Sequence, residues 1–553
     1  MNLPGDPTGL VPAPRNITIG DGSFPVAGAR VEAAPGYEAV GRLLEMWLAT
    51  AGRGVGASRE EGASRVDGAG GAVAGAGGGD AVGGAGGGDA VGGAGGAAVR
   101  GGTGSDGLVR IAHDPSLPGP EEYRLDISRE AIVLAAASRE GALNGASTIR
   151  QLLLSQGSKL PILSIEDGPR FSWRGAMLDS ARNFQRVEFI EKFLDLMALH
   201  KLNRFHWHLT DDQGWRLDIP SMPEIAQFGS RRQERRVNIP RMQGGFYTRD
   251  DVRRIVDFAG ERGIVVVPEI ETPGHAIALL ASHPELSCKG GAGDGNEPFA
   301  TEWRHGIFGD VLCAGNEKVF EILGRVFDEV AALFPGPWVH AGGDEVPKAR
   351  WSSCPKCRAV MKSHNLRDEG GALEPEYLQG WFMNRVAALL AERGKRMIGW
   401  DEILEGRPRK DAIVMSWRGY SGGVEAARLG HEVVMSPQTK ACYLDHKHLD
   451  LSEEPGQLGV CTVRDSYSFE PVPESLGPAE AALITGGQAN IWTELMPFAR
   501  HVEYMAFPRL SALSEAFWSP KENRNWDEFV QRLEIHGRRL DALDVNRYRG
   551  ALE

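Results

Sequence analysis

Two acids stand side by side behind a pair of glycines in WVHAGGDEVPKARW, residues 338–351. Successive residues of a regular strand point to opposite faces, so Asp344 and Glu345 can serve one site only if the chain turns there. Other acids and aromatics gather in short motifs of the same kind: HWHLTDDQGW (206–215), PEIETPGH (268–275), GWDE (399–402), YLDH (443–446) and NIWTE (490–494). Such sets suit a sugar, because aromatic rings stack on its apolar faces while carboxylates and Arg bind its hydroxyls. A carboxyl pair can also supply the acid and base of bond cleavage. A metallohydrolase is the rival, since His206 and His208 lie two apart and share one strand face. Against it, the other motifs offer Trp and Tyr where metal ligands are wanted. Asp211 and Asp212 also have a plain reading, as caps of a following helix.

The motifs need a frame that brings them together. From Phe171 onward the sequence repeats strand, loop and helix, with apolar strand-like runs at 172–178, 204–209, 263–270, 338–341, 397–400, 412–417, 432–435 and 483–491. Between many of them apolar residues recur at helical spacing, as in Val187, Ile190, Phe193, Leu194 and Met197. Eight strands in β–α alternation predict a (β/α)8 TIM barrel, an α/β fold, rather than a doubly wound sheet. Each motif then falls at the C-terminal end of a strand, where a barrel builds its active site. Before the barrel, alternating runs at 122–127 and 131–136 and a helical run at 145–154 predict a small α+β domain. The expected division is 1–164 for this domain and 165–553 for the catalytic barrel with its C-terminal helices.

Composition limits the partners. The chain has 553 residues, 42% of them apolar, and a formal net charge of −13. No basic cluster with interleaved aromatics occurs, so neither nucleic acid nor an anionic membrane is an expected partner. The first residues, MNLPGDPTGLVPAPRN, lack a basic start and an apolar run, which reads as a cytoplasmic chain. Residues 68–104 are almost wholly Gly, Ala, Val and Asp, with GAGGGDAVG repeated at 75–83 and 84–92. Two imperfect copies are too few for a calcium-binding β-roll, and the stretch reads as a disordered insertion. Of six cysteines, only Cys354 and Cys357 in CPKC have metal-like spacing. A structural zinc completed by Cys288 and Cys313, a local disulfide and free thiols all stay open.

Seven motifs in register, RGAMLDSAR, HLTDDQGW, PEIETPGH, HAGGDEV, GWDEI, YLDH and GGQANIWTE, resemble those of the family 20 glycoside hydrolases, the β-N-acetylhexosaminidases. The resemblance covers about 165–518, and the preceding part is similar to the small domain that precedes the barrel in that family. It implies an exo-acting, retaining enzyme that releases terminal β-linked GlcNAc, and GalNAc as a further candidate, with no cofactor and no metal. In such enzymes the substrate's own 2-acetamido oxygen attacks the anomeric carbon through an oxazolinium-type intermediate, so no enzyme nucleophile is needed. The alternatives within reach are a disaccharide-releasing enzyme of the lacto-N-biosidase kind and a sugar-binding barrel without turnover. The implied partner is a small N-acetylhexosaminide, and the sequence leaves homo-oligomerisation open.

The resemblance also assigns roles. Glu345 is the general acid and then the base, Asp344 orients the acetamido group, and Tyr443 donates to its oxygen. Trp400, Trp417 and Trp492 wall the sugar. Arg174, Asp445 and Glu494 bind ring hydroxyls, and His275 with Glu271 supports the acid pair from behind. Both acids must reach one sugar, so the strand is expected to leave regular geometry at Gly342-Gly343.

Overall fold

The computed structural model of the chain describes residues 8–51, 107–234, 241–290, 298–439, 441–449 and 454–553. The glycine-rich stretch at 68–104 lies outside them.

The N-terminal domain is a six-stranded sheet of β1 (Asn16–Pro25), β2 (Arg30–Ala33), β3 (Leu108–His113), β4 (Tyr123–Ile127), β5 (Ala131–Ala136) and β6 (Lys159–Asp167), in the order β1-β6-β4-β5-β3-β2. The strict alternation of β4 buries Tyr123, Leu125 and Ile127 on one face. Among the described residues two helices belong to the domain, α1 (Glu38–Ala51) and α2 (Arg139–Gln156). Ser138 caps α2, its hydroxyl accepting from Glu140 N at 3.1 Å. Small residues let α2 pack on both sides. A Cβ on Gly145 would meet Leu134 Cδ1 at 2.2 Å on the sheet side. Toward the barrel, Ser147 donates to the Ala198 carbonyl at 2.8 Å. Because β6 runs to Asp167, the sheet extends three residues past the expected boundary.

The second domain is a closed barrel of eight parallel strands: β7 (Trp173–Asp179), β8 (Arg204–His208), β9 (Val265–Thr272), β10 (Trp338–Gly342), β11 (Arg396–Trp400), β12 (Ile413–Ser416), β13 (Val433–Met435) and β14 (Ile484–Ile491), which closes on β7. This is the TIM barrel that the sequence predicts. Its strands are nearly continuous apolar runs because helices cover their outer faces. Inside, Trp173, Val267, Ile398, Ile413, Met415 and Val434 form an apolar plug. Higher up, Glu269 accepts from Trp400 Nε1 at 2.9 Å and meets His340 Nδ1 at 2.7 Å and His206 Nε2 at 3.0 Å. This wholly buried layer forms the floor of the barrel mouth. Among the described residues no helix is long and apolar enough to cross a membrane.

Candidate active site

At the C-terminal mouth lies a cavity of about 290 Å³, lined by Arg182, Asp344, Glu345, Trp400, Trp417, Gln438, Tyr443, Asp445, His446, Gln457, Trp492 and Glu494. Each arrives by a local device. At the end of β10, Gly342 and Gly343 take φ of +67° and +97°, and Glu345 itself sits at +49°. Left-handed backbone is cheap for glycine and costly for glutamate, and residues held in it cluster at functional sites. A Cβ on Gly342 would fall 1.9 Å from Glu271 Oε2, and one on Gly343 2.8 Å from Ile403 Cγ2. Here the strand breaks its alternation, so the neighbouring acids enter one cavity.

Both acids face one imidazole. His275 Nε2 lies 3.6 Å from Asp344 Oδ2 and 3.5 Å from Glu345 Oε2, while Nδ1 lies 3.1 Å from Asp212 Oδ2 and 3.5 Å from Asp211 Oδ1. Burial alone would lower the His275 pKa, but Asp211, Asp212 and Glu345 together hold it well above the ordinary histidine value. The ring is therefore a fixed cation behind the acid pair. Glu271 is not the carboxylate that holds it. Its oxygens have no hydrogen-bond partner, and burial with Asp344 and Glu269 nearby pushes its carboxyl well up. The expected His275–Glu271 support is thus corrected to His275 with Asp211 and Asp212. The plain capping reading of those two aspartates yields with it. Burial, only partly offset by His275, also raises Asp344 to about 6.

The far wall comes from the last strands. The loop after β13 docks on β14, Leu444 N donating to Asn490 O at 2.9 Å, and thereby presents Tyr443 and Asp445. Tyr443 and Trp417 stack with their ring planes 13° apart, and Trp492 stands between Trp400, His208 and Tyr443. Burial holds Asp445 well above the usual carboxylate range, and Glu494 is raised in the same way. Buried polar atoms without a partner point to a ligand. Asp344 Oδ1 and Asp445 Oδ1 are such atoms.

Arg174 is the residue that the structure removes from the site. It lies at the second position of β7, on the opposite end of the barrel, where it meets Glu121 Oε1 at 2.6 Å and donates to the Lys201 carbonyl at 2.8 Å. The arginine that does line the cavity is Arg182, in the same motif but three residues past the strand's end. Asp179 accepts from Arg182 N at 2.9 Å and so shapes that turn. The guanidinium meets Asp211 Oδ2 at 2.6 Å and lies over Trp492 at 4.9 Å. Chain position was the available signal, since Arg174 falls at the wrong end of its strand for a barrel site. Gln438, His446 and Gln457 were also missed: Gln438 and Gln457 lie outside every motif, and His446 closes YLDH but was assigned no role there.

Metal-ligand geometry occurs in several groups. His206, His208, His340 and Glu269 satisfy one another in the barrel floor, as do Asp211, Asp212 and His275 behind the acid pair. The HxH pair is therefore accounted for by Glu269. A separate cluster of four cysteines lies outside the cavity.

Comparison with known proteins agrees with this geometry. The family model described as glycosyl hydrolase family 20, catalytic domain, matches residues 171–521, and that of glycosyl hydrolase family 20, domain 2, matches 8–168. A Beta-hexosaminidase of Porphyromonas gingivalis is 39% identical over 457 residues, covering 80% of this chain and 56% of the relative. One of Vibrio furnissii is 36% identical over 408 residues, covering 71% and 64%. The chain thus spans less than two thirds of the length of either. The crystal structure of an exo β-N-acetylglucosaminidase from Vibrio harveyi in complex with N-acetylglucosamine matches with a TM-score of 0.79 and 29% identity, over 98% of this chain and 78% of that one.

Proposed function

The chain belongs to glycosyl hydrolase family 20, and on that premise we propose that it is an exo-acting, retaining β-N-acetylhexosaminidase for which the substrate's 2-acetamido group is the nucleophile. The observation that carries the reading is the Gly342-Gly343 turn, which brings Asp344 and Glu345 into one cavity before His275.

Glu345, with about a third of its side chain exposed, is the acid that a leaving glycosidic oxygen can reach. It protonates that oxygen and then takes a proton from the incoming water. Asp344 is mostly enclosed, with 13% of its side chain exposed, and must be charged to hold the acetamido N–H and offset the positive charge of the cyclising ring. The protonated His275 keeps that charge affordable in a dry site. Tyr443, its proton held tightly by burial, stays a donor for the acetamido oxygen. Trp400, Trp417 and Trp492 enclose the sugar and its methyl group. Arg182, Asp445 and Glu494 are the groups left for the ring hydroxyls, Arg182 standing where Arg174 was expected. Family 20 enzymes that use this route have no covalent glycosyl-enzyme step.

The test is a panel of 4-nitrophenyl β-GlcNAc, β-GalNAc, β-glucoside and β-lacto-N-bioside. A plain glucoside lacks the nucleophile and forfeits an intramolecular advantage worth roughly 7–11 kcal/mol at best. It should be turned over negligibly while the 2-acetamido sugars are cleaved. Comparable rates on the glucoside, or a 2-fluoro sugar trapped covalently on a carboxylate, would recast Asp344 as a conventional nucleophile. Preferential release of the disaccharide would favour the lacto-N-biosidase alternative.

A further inference from the structure

Four of the six cysteines converge on one point. Cys288 follows the loop after β9, Cys313 ends the same excursion, and Cys354 and Cys357 open a helix, Pro355–Ser363, in the loop after β10. Their sulfurs all lie within 4.8 Å of one another. Cys288–Cys357, Cys313–Cys354 and Cys313–Cys357 are separated by 3.7, 3.8 and 3.6 Å.

Those separations discriminate between chemistries. A disulfide needs sulfurs about 2.05 Å apart, far closer than any of these, and two disulfides would use the four sulfurs pairwise, with no reason for Cys313 to stand equally near Cys354 and Cys357. Around one zinc with Zn–S of about 2.3 Å, tetrahedral geometry puts sulfurs about 3.8 Å apart along every edge. The observed contacts match that edge. A multi-iron cluster holds its cysteines farther apart than this and does not fit.

We propose that Cys288, Cys313, Cys354 and Cys357 form a closed, structural zinc site that ties together the two loops carrying His275 and the Asp344–Glu345 pair. The surroundings are built for it. Cys313, Cys354 and Cys357 are buried and Cys288 partly so. CPKC supplies two ligands from the first turn of a helix, where free backbone N–H groups favour thiolate. A Cβ on Gly315 would fall 2.3 Å from the Lys356 carbonyl carbon, so that position lets the Cys313 loop press against the CPKC turn. Cys442 and Cys461, in contrast, lie elsewhere, Cys461 beside Ser466 and the Ala441 carbonyl.

The tie leads to the acid pair through short steps. Leu312, next to Cys313, donates its N–H to the Pro273 carbonyl at 2.9 Å, two residues before His275. Its own carbonyl accepts from Trp351 Nε1 at 3.0 Å, six residues beyond Glu345. Four protein ligands leave no open coordination position, so the ion takes no part in hydrolysis. Binding replaces the thiol protons, which go to solvent. The expectation of no metal is revised accordingly, and the three readings left open for CPKC reduce to one.

The deciding measurement is elemental analysis of the full chain, grown with zinc and purified without chelator or reductant, together with a thiol titration under denaturing conditions with chelator. About one zinc per chain with six titratable thiols is expected. Less than half an equivalent with six thiols means an empty thiol cluster and overturns the proposal. Fewer thiols without metal means disulfides, and iron in place of zinc means a different site; each overturns it equally. Cys357→Ser should lose the zinc and several degrees of melting temperature, whereas Cys442→Ser should keep the metal. If Cys357→Ser fails to fold, the metal count of the natural chain still decides. That count does not depend on which glycoside the enzyme cleaves.

Discussion

Asp344 concentrates the conflict between stability and catalysis in one side chain. Its pKa is about 6 in the fold against 3.8 for the ordinary carboxyl, chiefly from burial. A raised acid pKa means that the fold favours the protonated form, so the group's stabilising effect is present below about pH 3.8 and lost as pH rises through 6. Catalysis needs the other form. The rate on a 2-acetamido substrate should fall about tenfold per pH unit below pH 6. Asp344→Asn removes the buried charge, so it should abolish activity yet stabilise the protein at pH 7.5 by on the order of 2–3 kcal/mol, an advantage absent at pH 4. Denaturation of the variant at both values checks this, and an equal gain at both would refute the assignment. The two arginines of RGAMLDSAR make the second residue-scale contrast. Both are in the motif, and only the register of β7 decides which reaches the cavity. Arg182→Met should raise KM by one to two orders of magnitude, the cost of a lost charged hydrogen bond, whereas Arg174→Met should lower the melting temperature and leave KM unchanged. Michaelis kinetics of the two variants check the pair. That register was legible from the strand's expected start but was outweighed by motif membership, and the partners of His275 were not legible at all, because Asp211 and Asp212 come from a different strand.

At the scale of elements, the sequence was most readable where burial is most complete. All eight barrel strands are apolar runs bounded by polar motifs, and the observed limits fall within two residues of the expected ones. The N-terminal sheet was read less fully. β4 and β5 alternate cleanly, but β1 is an edge strand with mostly exposed residues, and such a strand carries no periodic signal. The turn after β10 is the element on which the site depends. Gly342 was expected there for its conformational freedom, and the structure adds a steric reason, since a Cβ would strike the Glu271 carboxylate. Gly342→Ala should therefore do more than tax the backbone. It should displace Glu271 or the strand end, cost a few kcal/mol of stability and lower kcat/KM by two orders of magnitude or more. Melting curves and kinetics on one preparation test this. An alanine variant of natural activity would show that the turn has slack that these contacts deny.

At the scale of the whole molecule, the two domains share one buried charge network. Lys201, on the barrel side, meets Asp167 Oδ2 at 2.8 Å and donates to Tyr123 Oη at 3.0 Å, both in the N-terminal sheet. Trp518, in a C-terminal helix, donates to Asp167 Oδ1 at 3.0 Å. Arg174 and Glu121 add a second link a few residues away. Burial pulls the Lys201 pKa down and Asp167 only partly restores it, so the ammonium depends on that single carboxylate. Removing one partner of such a pair strands a charge in a dry interface and costs about 3–5 kcal/mol. Because the charges belong to different domains, neither domain can satisfy its own half in this packing. The chain should accordingly unfold in one calorimetric transition that includes sheet and barrel. Asp167→Ala should lower that transition without splitting it, and Asp167→Ala with Lys201→Met should recover part of the loss, since the stranded charge is then gone. Two transitions in the natural chain, or a double variant no better than the single, would mean that the N-terminal domain is an independent appendage and that this network carries none of the coupling.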